Sequence, residues 1–217
     1  MIKKELEINE KRLLYLILIV SLLTFLLILQ NINGLFFSSL DSNVNLSMQK
    51  MQTPFLIEIS KIINYTFEPG VFVVYFLIVI GILFYKKRIM EATGLAIFTL
   101  ISAGLLDLIK ILVQRPRPFD SLIIETDPSF PSGHALMAVV FFGTLIYLFE
   151  HHVKSVRTKI WLTVLSVLIV IIIGASRIYL NIHWFSDVLA SYALGTFLLI
   201  SFVLIVHKVH LFRNRGY

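Results

Sequence analysis

The sequence has no cysteine and few charged residues, and both absences limit the kind of protein it can encode. Without cysteine there is no disulfide framework and no thiol chemistry to consider. Only 15% of the 217 residues are charged, whereas 58% are hydrophobic and the mean hydropathy is +0.88. This composition is typical of membrane proteins. No internal repeat, linker or low-complexity segment divides the chain, so we predict a single membrane-embedded domain over residues 1–217.

Six largely apolar runs predict transmembrane helices. A bilayer core is crossed by roughly 20 helical residues, or about 17 at the short end. The runs are apolar on every side, which favours helices over the alternating strands of a barrel. We therefore predict an all-α, polytopic membrane protein with six transmembrane helices, and short amphipathic interfacial helices between the first and the second. The runs cover residues 13–29, 69–85, 92–113, 135–149, 160–175 and 188–206.

The basic residues predict the orientation of these helices. With six crossings, four basic clusters fall on one side of the membrane, and the positive-inside rule makes that side cytoplasmic, together with both termini. The net charge of +6 is then mainly an orientation signal, and no soluble basic face of the kind that binds nucleic acid is indicated. The clusters are Lys3, Lys4, Lys11 and Arg12; Lys86, Lys87 and Arg88; Lys154, Arg157 and Lys159; and Lys208, Arg213 and Arg215.

The segment KILVQRPRPF, residues 110–119, carries cations to the opposite side of the membrane. Its two prolines end the third predicted helix, so Lys110 and Arg117 would flank one helix terminus. Three cations within eight residues suit an anion with more than one negative charge. Taken alone, the segment is explained equally well by side chains that extend to the lipid headgroups.

The segment PSGH, residues 131–134, opens the fourth predicted helix. Ser132 is a suitable N-cap, and a helix N-terminus offers unpaired N–H groups and the positive end of the helix dipole to an anion. Gly133 would let the anion approach the backbone closely, and His134 in the first turn would lie beside it. Without the other segments, these residues are also an ordinary helix start.

The stretch SRIYLNIHWFSD, residues 176–187, places charged groups between the last two apolar runs. Arg177 closes the fifth run, where a planar guanidinium can bind phosphate oxygens in a bidentate manner. If the sixth helix starts near Ile182, His183 and Asp187 lie one turn apart on one face, and the carboxylate can accept the imidazole Nδ1–H. The Nε2 lone pair is then directed outward, as in a nucleophile. The alternative is a capping role for Asp187.

The predicted topology brings these three segments to the same outer face. Together they offer cations, a helix N-terminus, a histidine supported by a carboxylate and a second histidine. Phosphoryl transfer requires this combination, because fixed donors must hold the equatorial oxygens while attack and departure occur in line. At headgroup depth, such a site suits a phosphate whose lipid tail remains in the bilayer.

The order and spacing of these residues resemble the three signature motifs of the type 2 phosphatidic acid phosphatase (PAP2) superfamily of integral-membrane lipid phosphatases. The resemblance implies that His183 is the nucleophile and becomes a phosphohistidine, that Asp187 orients it, and that His134 is the general acid and then the base. The matching motifs are Lys110-x6-Arg117-Pro118, Pro131-Ser132-Gly133-His134 and Ser176-Arg177-x5-His183-x3-Asp187. The phosphate-binding residues implied are Lys110, Arg117, Ser132, Gly133 and Arg177.

The resemblance also implies a class of substrate and a reaction without cofactors. We expect hydrolysis of phosphatidylglycerol phosphate, phosphatidic acid or undecaprenyl pyrophosphate on the extracytoplasmic side of the cell membrane. No metal ion and no organic cofactor are expected, because the cations supply the charge neutralisation that Mg²⁺ gives elsewhere. The sequence does not indicate an oligomeric state. A lipid phosphotransferase and a non-catalytic transporter on the same scaffold stay open as alternatives.

Two charged residues near the first motif have no role in the family pattern. Arg115 would be an additional contact to phosphate or to a headgroup. Asp107 lies three residues before Lys110 on the predicted helix, a spacing that favours a local ion pair.

Overall fold

The structure is a computed structural model that describes residues 8–215, except for the side chains of His151 and of residues 210–215. Lys3 and Lys4 therefore lie outside the described residues, as do the side chains of Arg213 and Arg215. All regular structure in the described range is helical, which confirms the all-α prediction. The α-helices are α1 (Ile8–Asn31), α2 (Leu35–Lys50), α3 (Pro54–Thr66), α4 (Pro69–Tyr85), α5 (Ile89–Val113), α6 (Gly133–Phe149), α7 (Val156–Tyr179) and α8 (Phe185–Arg215).

Four helices are long and apolar enough to cross a membrane, namely α1, α5, α7 and the part of α8 over Phe185–Val209. Helices α3 and α4 form a pair bent by 50°, which raises the number of candidate spans to five if the pair is one span. Helix α6 is apolar but has 17 residues. At 1.5 Å per residue it measures about 25 Å, less than the hydrocarbon core of about 30 Å. The helices thus cover all six predicted runs, while six spans stay a prediction.

Helix α8 is the most buried of the long helices and packs against α1 and α6. Two glycines permit its close contact with α6. A Cβ atom at Gly143 would lie 2.2 Å from Cδ2 of Leu199. A Cβ atom at Gly195 would lie 2.9 Å from Cβ of Val139. Small residues at such crossings allow helices to pack where lipid provides no hydrophobic driving force.

The outer surface of the bundle is apolar, as a lipid-facing surface must be. Leu16 of α1, Leu100 of α5 and Ile171 of α7 are examples of large side chains that are at least half exposed. Apolar faces of this extent are rare on soluble monomers. They match a bilayer, in which the hydrocarbon tails are as apolar as the side chains.

Two short helices follow α1, as predicted, but each turns polar residues inward. Helix α2 buries Asp41 and Asn45, and α3 buries Ser60 and Asn64. In each helix the two residues are one turn apart, so they share a face. Helix α2 packs on α7 and α8, and α3 packs on α7. An amphipathic helix at the interface would turn this polar face to water, whereas here it contacts the end of the bundle that carries the three motifs.

Candidate active site

His183 lies in the short connection between α7 and α8. The prediction that the last helix starts near Ile182 is wrong, because α8 begins at Phe185. Asn181 adopts φ 55°, a left-handed conformation that asparagine tolerates better than most residues, and it turns the chain out of α7. The N–H groups of Ile182 and His183 donate to the carbonyl of Arg177 at 3.1 and 3.3 Å. The backbone of the third motif therefore fixes the position of the imidazole.

Asp187 lies on the Nδ1 side of this ring. Its Oδ2 atom is 3.4 Å from Nδ1 of His183 and accepts the N–H of Trp184 at 3.0 Å. Trp184 precedes the first residue of α8, and its carbonyl accepts the N–H of Asp187 at 3.1 Å. An acidic residue that reaches back to the N-cap in this way satisfies a helix-end donor. One carboxylate thus serves as both the cap and the partner of the histidine, which the sequence presents as alternatives.

The Nε2 atom of His183 faces Arg117, whose Nη1 atom is 3.2 Å away. A guanidinium can only donate, so Nε2 is the acceptor and the neutral ring carries its hydrogen on Nδ1, toward Asp187. Burial lowers the pKa of His183 well below its ordinary value, and the positive charges of Arg177 and Arg117 act in the same direction. The ring is therefore neutral, with the Nε2 lone pair on the side of the cations.

Two carboxylates from the connection between α5 and α6 hold the predicted phosphate-binding cations. Asp127 accepts from Lys110 and, at 2.7 Å, from Arg117. Glu125 accepts from Arg117 at 2.7 Å and also from Arg177. We call these five residues the front cluster. Although burial alone raises the pKa of Asp127, the hydrogen bonds and charges of Lys110 and Arg117 lower it to about 2. The cluster therefore stabilises negative charge strongly.

The predicted ion pair between Lys110 and Asp107 is not the one that forms. The Lys110 ammonium donates to Asp127 and, at 3.0 Å, to the carbonyl of Pro128. Asp107 is exposed and lines the cavity beside Lys110. The spacing of Asp107 and Lys110 along the helix does not decide the partner, because the connection between α5 and α6 brings the carboxylate of Asp127 to the ammonium.

Two side chains of the predicted phosphate site have buried polar atoms without partners among the described residues. Arg177 is fully buried, and although its Nη2 atom pairs with Glu125, its Nε and Nη1 atoms have no hydrogen-bond partner there. Ser132 stands at the N-cap of α6, as predicted, but its buried Oγ atom does not cap the helix and has no partner in this range either. Native proteins rarely leave buried polar groups unpaired, because an unmade hydrogen bond is costly. An anion bound at the start of α6 would supply acceptors for them.

A cavity of about 480 Å³ opens beside the front cluster, and both histidines line it. His134 lies in the first turn of α6, and its Nε2 atom is 3.1 Å from the carbonyl oxygen of Asn64. A carbonyl only accepts, so Nε2 carries a hydrogen and Nδ1 is the atom that can exchange a proton with a ligand. The cavity also has acidic and apolar walls, formed by Glu68, Asp107, Leu106, Ile123 and Ile124.

Gly133 lines the same cavity and also has a packing role. A Cβ atom at this position would lie 3.2 Å from Cγ of Pro69 and 3.3 Å from Cδ2 of Leu106. Both distances are tighter than ordinary contacts, so the start of α6 approaches α4 and α5 as closely as it does because residue 133 has no side chain. This packing adds to the predicted role of Gly133 in anion approach.

Arg115 points away from the cavity, to the other side of His183. Its Nη1 atom donates to Asp187 and, at 2.8 Å, to Oγ of Ser186. Its Nη2 atom donates to Asp41 at 2.7 Å. The predicted contact with phosphate or a headgroup is therefore wrong. We call Asp41, Arg115, Ser186 and Asp187 the rear cluster.

Sequence reasoning missed three of the acidic residues in these clusters. Glu125 and Asp127 lie in a polar connection without a motif, where acidic residues are common. Asp41 and Asn45 are spaced by one helical turn, which is a signal for a shared face. That signal is weak because the surrounding sequence LDSNVNLS is rich in polar residues on every side.

Comparison with known proteins identifies a family and two relatives. The family model of the PAP2 superfamily matches residues 92–211. Phosphatidylglycerophosphatase B of Bacillus subtilis is 30% identical over 138 residues, which cover 62% of this chain and 67% of that protein. An undecaprenyl-diphosphatase of Sulfolobus acidocaldarius is 27% identical over 124 residues, which cover 54% of this chain and 56% of that protein.

Solved structures show the same fold. The crystal structure of a transmembrane PAP2 type phosphatidylglycerolphosphate phosphatase from Bacillus subtilis superposes with a TM-score of 0.81 at 24% identity, over 88% of this chain and 96% of that chain. The structure of Aquifex aeolicus LpxE superposes with a TM-score of 0.59 at 21% identity, over 76% of this chain and 94% of that chain. Together with the apolar helices, these matches identify a multi-pass membrane protein.

The resemblance of the three motifs is thereby confirmed, because the matched region includes every motif residue and more than half of the chain: the protein belongs to the PAP2 superfamily.

Proposed function

We propose that the protein is a membrane lipid phosphatase that hydrolyses a lipid phosphomonoester or diphosphate through a phosphohistidine on His183. One observation carries the proposal above all. The acceptor atom Nε2 of a neutral, buried histidine lies 3.2 Å from an arginine that belongs to a cluster of three cations. A nucleophile next to fixed positive charge is what phosphoryl transfer demands.

In the first half of the reaction, phosphate oxygens replace Glu125 and Asp127 as partners of the three cations. The Nε2 lone pair of His183 attacks phosphorus, and the bond from phosphorus to the lipid oxygen breaks. The leaving oxygen takes a proton from Nδ1 of His134, which the negative charge of the bound phosphate keeps protonated. Asp187 offsets the positive charge that develops on the attacking ring. With a diphosphate, the leaving group is the lipid monophosphate.

In the second half, water is activated by His134, which is now neutral. Nδ1 of His134 takes a proton from the water, the water oxygen bonds to phosphorus, and the bond from phosphorus to Nε2 of His183 breaks. Inorganic phosphate leaves, His183 is restored as a neutral ring, and His134 is protonated again. Throughout, Ser132 and the N–H groups at Gly133 hold phosphoryl oxygens with the cations. Because positive charge comes from these side chains, no step in this scheme needs a metal ion.

We further propose six membrane crossings, with both termini in the cytoplasm and the cavity on the outer face. The cavity is lined by the first residues of α4 and α6 and by the last turns of α5, which supports opposite directions for α5 and these two neighbours. The basic residues 86–88 and the cluster at 154–159 follow the ends of α4 and α6 that lie farthest from the cavity. A positive-inside orientation then directs the cavity outward.

The substrate is proposed to be a phospholipid or prenyl phosphate with its tail in the bilayer. The cavity opens at the end of helices whose outer surfaces are apolar, so a tail can remain among them while the phosphate reaches His183. The names of the two relatives favour phosphatidylglycerol phosphate and undecaprenyl pyrophosphate. Phosphatidic acid is the third candidate, from the motif resemblance.

Phosphate release by the purified full-length protein in detergent tests this proposal. A panel of phosphatidylglycerol phosphate, phosphatidic acid and undecaprenyl pyrophosphate is compared with soluble phosphate esters, with and without EDTA. We expect release from at least one lipid, little release from the soluble esters, inhibition by vanadate and no effect of EDTA. Absence of phosphate release from every lipid would favour a transporter. Transfer of the phosphoryl group to an added alcohol instead of water would favour a phosphotransferase. Inhibition by EDTA would contradict the metal-free scheme.

A further inference from the structure

The first turn of α8 is capped by a carboxylate from a different helix. Asp41 of α2 accepts the N–H of Ser186 through Oδ1 at 2.8 Å and the Ser186 hydroxyl through Oδ2 at 2.6 Å. The N–H groups of a first helical turn have no partner within the helix, so an anionic acceptor is favoured there. Asp41 is 1% exposed. The start of α8, which carries Asp187, is therefore held by α2.

Arg115 joins this cap to the carboxylate behind the nucleophile. One edge of its guanidinium pairs with Asp187 and the other pairs with Asp41. The guanidinium also lies 5.6 Å from the centre of the Trp184 ring, and the Trp184 indole N–H donates to the carbonyl of Pro116 at 2.9 Å. A planar fork that bonds on two sides and stacks on an aromatic ring has little freedom to move. Asp187 is thus fixed from behind as well as by its own helix.

The charges of the rear cluster explain why an arginine is required. Two carboxylates buried side by side without a cation would repel, and one of them would take up a proton. Arg115 lies between them and pairs with both, so its positive charge offsets theirs in a buried setting. An ionised Asp187 is the form that accepts Nδ1–H from His183 and stabilises a positive ring.

A second residue of α2 holds the backbone of the nucleophile. Asn45 lies one turn after Asp41 and donates to Oδ1 of Asn181 at 2.8 Å and to the carbonyl of His183 at 3.4 Å. The same face of α2 therefore contacts both the loop that carries His183 and the helix start that carries Asp187. This arrangement gives α2 a part in the geometry of the site.

We propose that Arg115 and Asp41 are positioning residues for the reaction at His183, forming a buried chain from Asp41 through Arg115 and Asp187 to the imidazole. The inference rests on the proposed function and adds residues that lie outside the three motifs. Neither residue belongs to the front cluster, so their loss lowers the rate of phosphoryl transfer and leaves phosphate binding intact. By this account α2 is a part of the active site and does more than cover the bundle.

Steady-state kinetics on the best lipid substrate test the proposal with the variants Arg115→Gln, Arg115→Lys and Asp41→Asn. We expect Arg115→Gln to lower kcat by about 100-fold, as a small misplacement of reacting groups does, with KM and the Kd for vanadate changed less than about threefold. Arg115→Lys keeps the charge but loses the fork, so it should retain more of kcat than the glutamine variant. Asp41→Asn keeps the shape of the cap and should give a smaller loss of kcat.

Arg88→Gln is the matched control. Arg88 also pairs with a carboxylate, Glu91, donates to a backbone carbonyl and lies over an aromatic ring, that of Phe149. It lies at the opposite end of the bundle, so its loss removes comparable interactions without touching the site. A fall in kcat for Arg88→Gln equal to that for Arg115→Gln would show a general loss of structure and overturn the proposal.

A measurement without turnover separates this proposal from the proposed function. The proton resonance of the His183 Nδ1–H, assigned by its absence in His183→Gln, should be observable in the unaltered protein, because this buried N–H faces Asp187. It should shift or broaden in Arg115→Gln and Asp41→Asn and persist in Arg88→Gln. If no lipid is hydrolysed, the proposed function fails while this resonance still decides the positioning role. The positioning role would be overturned by an unchanged resonance in both rear-cluster variants, or by parallel losses of kcat and vanadate binding. If Arg115→Gln does not fold, Arg115→Lys and Asp41→Asn provide the same test.

Discussion

Arg115 and Arg117 are separated by one proline, yet they lie on opposite sides of the His183 ring. Arg117 belongs to the front cluster, where three cations meet two carboxylates beside an open cavity. Arg115 belongs to the rear cluster, where one cation meets two carboxylates in a buried setting. Side chains two residues apart can diverge in this way because Pro116 and Pro118 keep the segment out of a helix.

The difference in charge balance gives the two clusters different capacities. The front cluster has an excess of positive charge, so it can bind a phosphoryl group when the carboxylates give way. The rear cluster has an excess of negative charge, so it can stabilise a ring that becomes positive on attack. The imidazole therefore lies in a field that favours moving electron density from Nδ1 toward Nε2 and phosphorus. Substitutions in each cluster, and of the ring between them, test this arrangement.

The largest effect is expected from His183→Ala, which removes the group between the clusters. Without the nucleophile no phosphohistidine can form, so phosphate release should fall by at least about 1,000-fold. The front cluster remains, so vanadate should still bind. Phosphate release and isothermal titration with vanadate measure the two quantities.

His152→Ala is a suitable control for that variant, since this histidine lies at the far end of α6 in a short 3₁₀ helix. It should release phosphate at the unaltered rate. Turnover retained by His183→Ala would reject the nucleophile assignment, and loss of vanadate binding would show that the front cluster depends on the ring.

The next largest effect is expected from Arg117→Gln, which alters the front side alone. Removing one fixed donor from a phosphoryl site typically costs about 100- to 1,000-fold in rate. Because Arg117 would hold the phosphate in the bound state as well, KM should rise and vanadate affinity should fall. Equal kinetic profiles for Arg117→Gln and Arg115→Gln would remove the distinction between the two clusters.

A double-mutant cycle sharpens the comparison at a smaller energy. Asp41→Asn and Arg115→Lys alter groups in direct contact, so their effects on the activation free energy should couple by about 0.5–3 kcal/mol. Asp41→Asn combined with Asp127→Asn alters different clusters and should be additive to within about 0.5 kcal/mol. The values follow from kcat of the single and double variants, and strong coupling between the clusters would contradict their independence.

The front cations and the histidines could be singled out from the sequence because each motif is short and stands at a helix end. Prolines after Lys110 and the PSGH start of α6 determine where helices stop and begin, and the fold brings these ends to one cavity. The helix class and the six apolar runs follow from composition and run length in the same way. Features that depend on local sequence patterns, such as helix ends and apolar runs, can therefore be predicted from the sequence alone.

The partners of these residues could not be predicted, because they come from distant positions. The carboxylate of Asp41 reaches Ser186 across 145 residues, and Asn45 reaches Asn181 across 136. Nothing in the composition of α2 distinguishes a polar face that meets another helix from one that meets water. The start of α8 was misplaced for a related reason: the amide groups of Ile182 and His183 bond to the carbonyl of Arg177, so the chain turns before the helix begins.

The smallest effect is expected from Asp127→Asn in the front cluster. The ionised carboxylate competes with phosphate for Lys110 and Arg117, so its neutral replacement should tighten vanadate binding by roughly two- to fivefold, as expected for a half-exposed ion pair. The pKa of Asp127 is lowered from 3.8 to about 2, so its ion pairs contribute stability above pH 3.8 and lose it as the pH falls through 2. The gain in vanadate affinity should therefore be the same at pH 5 and pH 7, since the aspartate is ionised at both values.

Asp120→Asn, in the same connection but outside the front cluster, is the control and should leave the affinity unchanged. Weaker binding by Asp127→Asn would mean that this carboxylate holds Lys110 and Arg117 in place for the phosphate and does not compete with it.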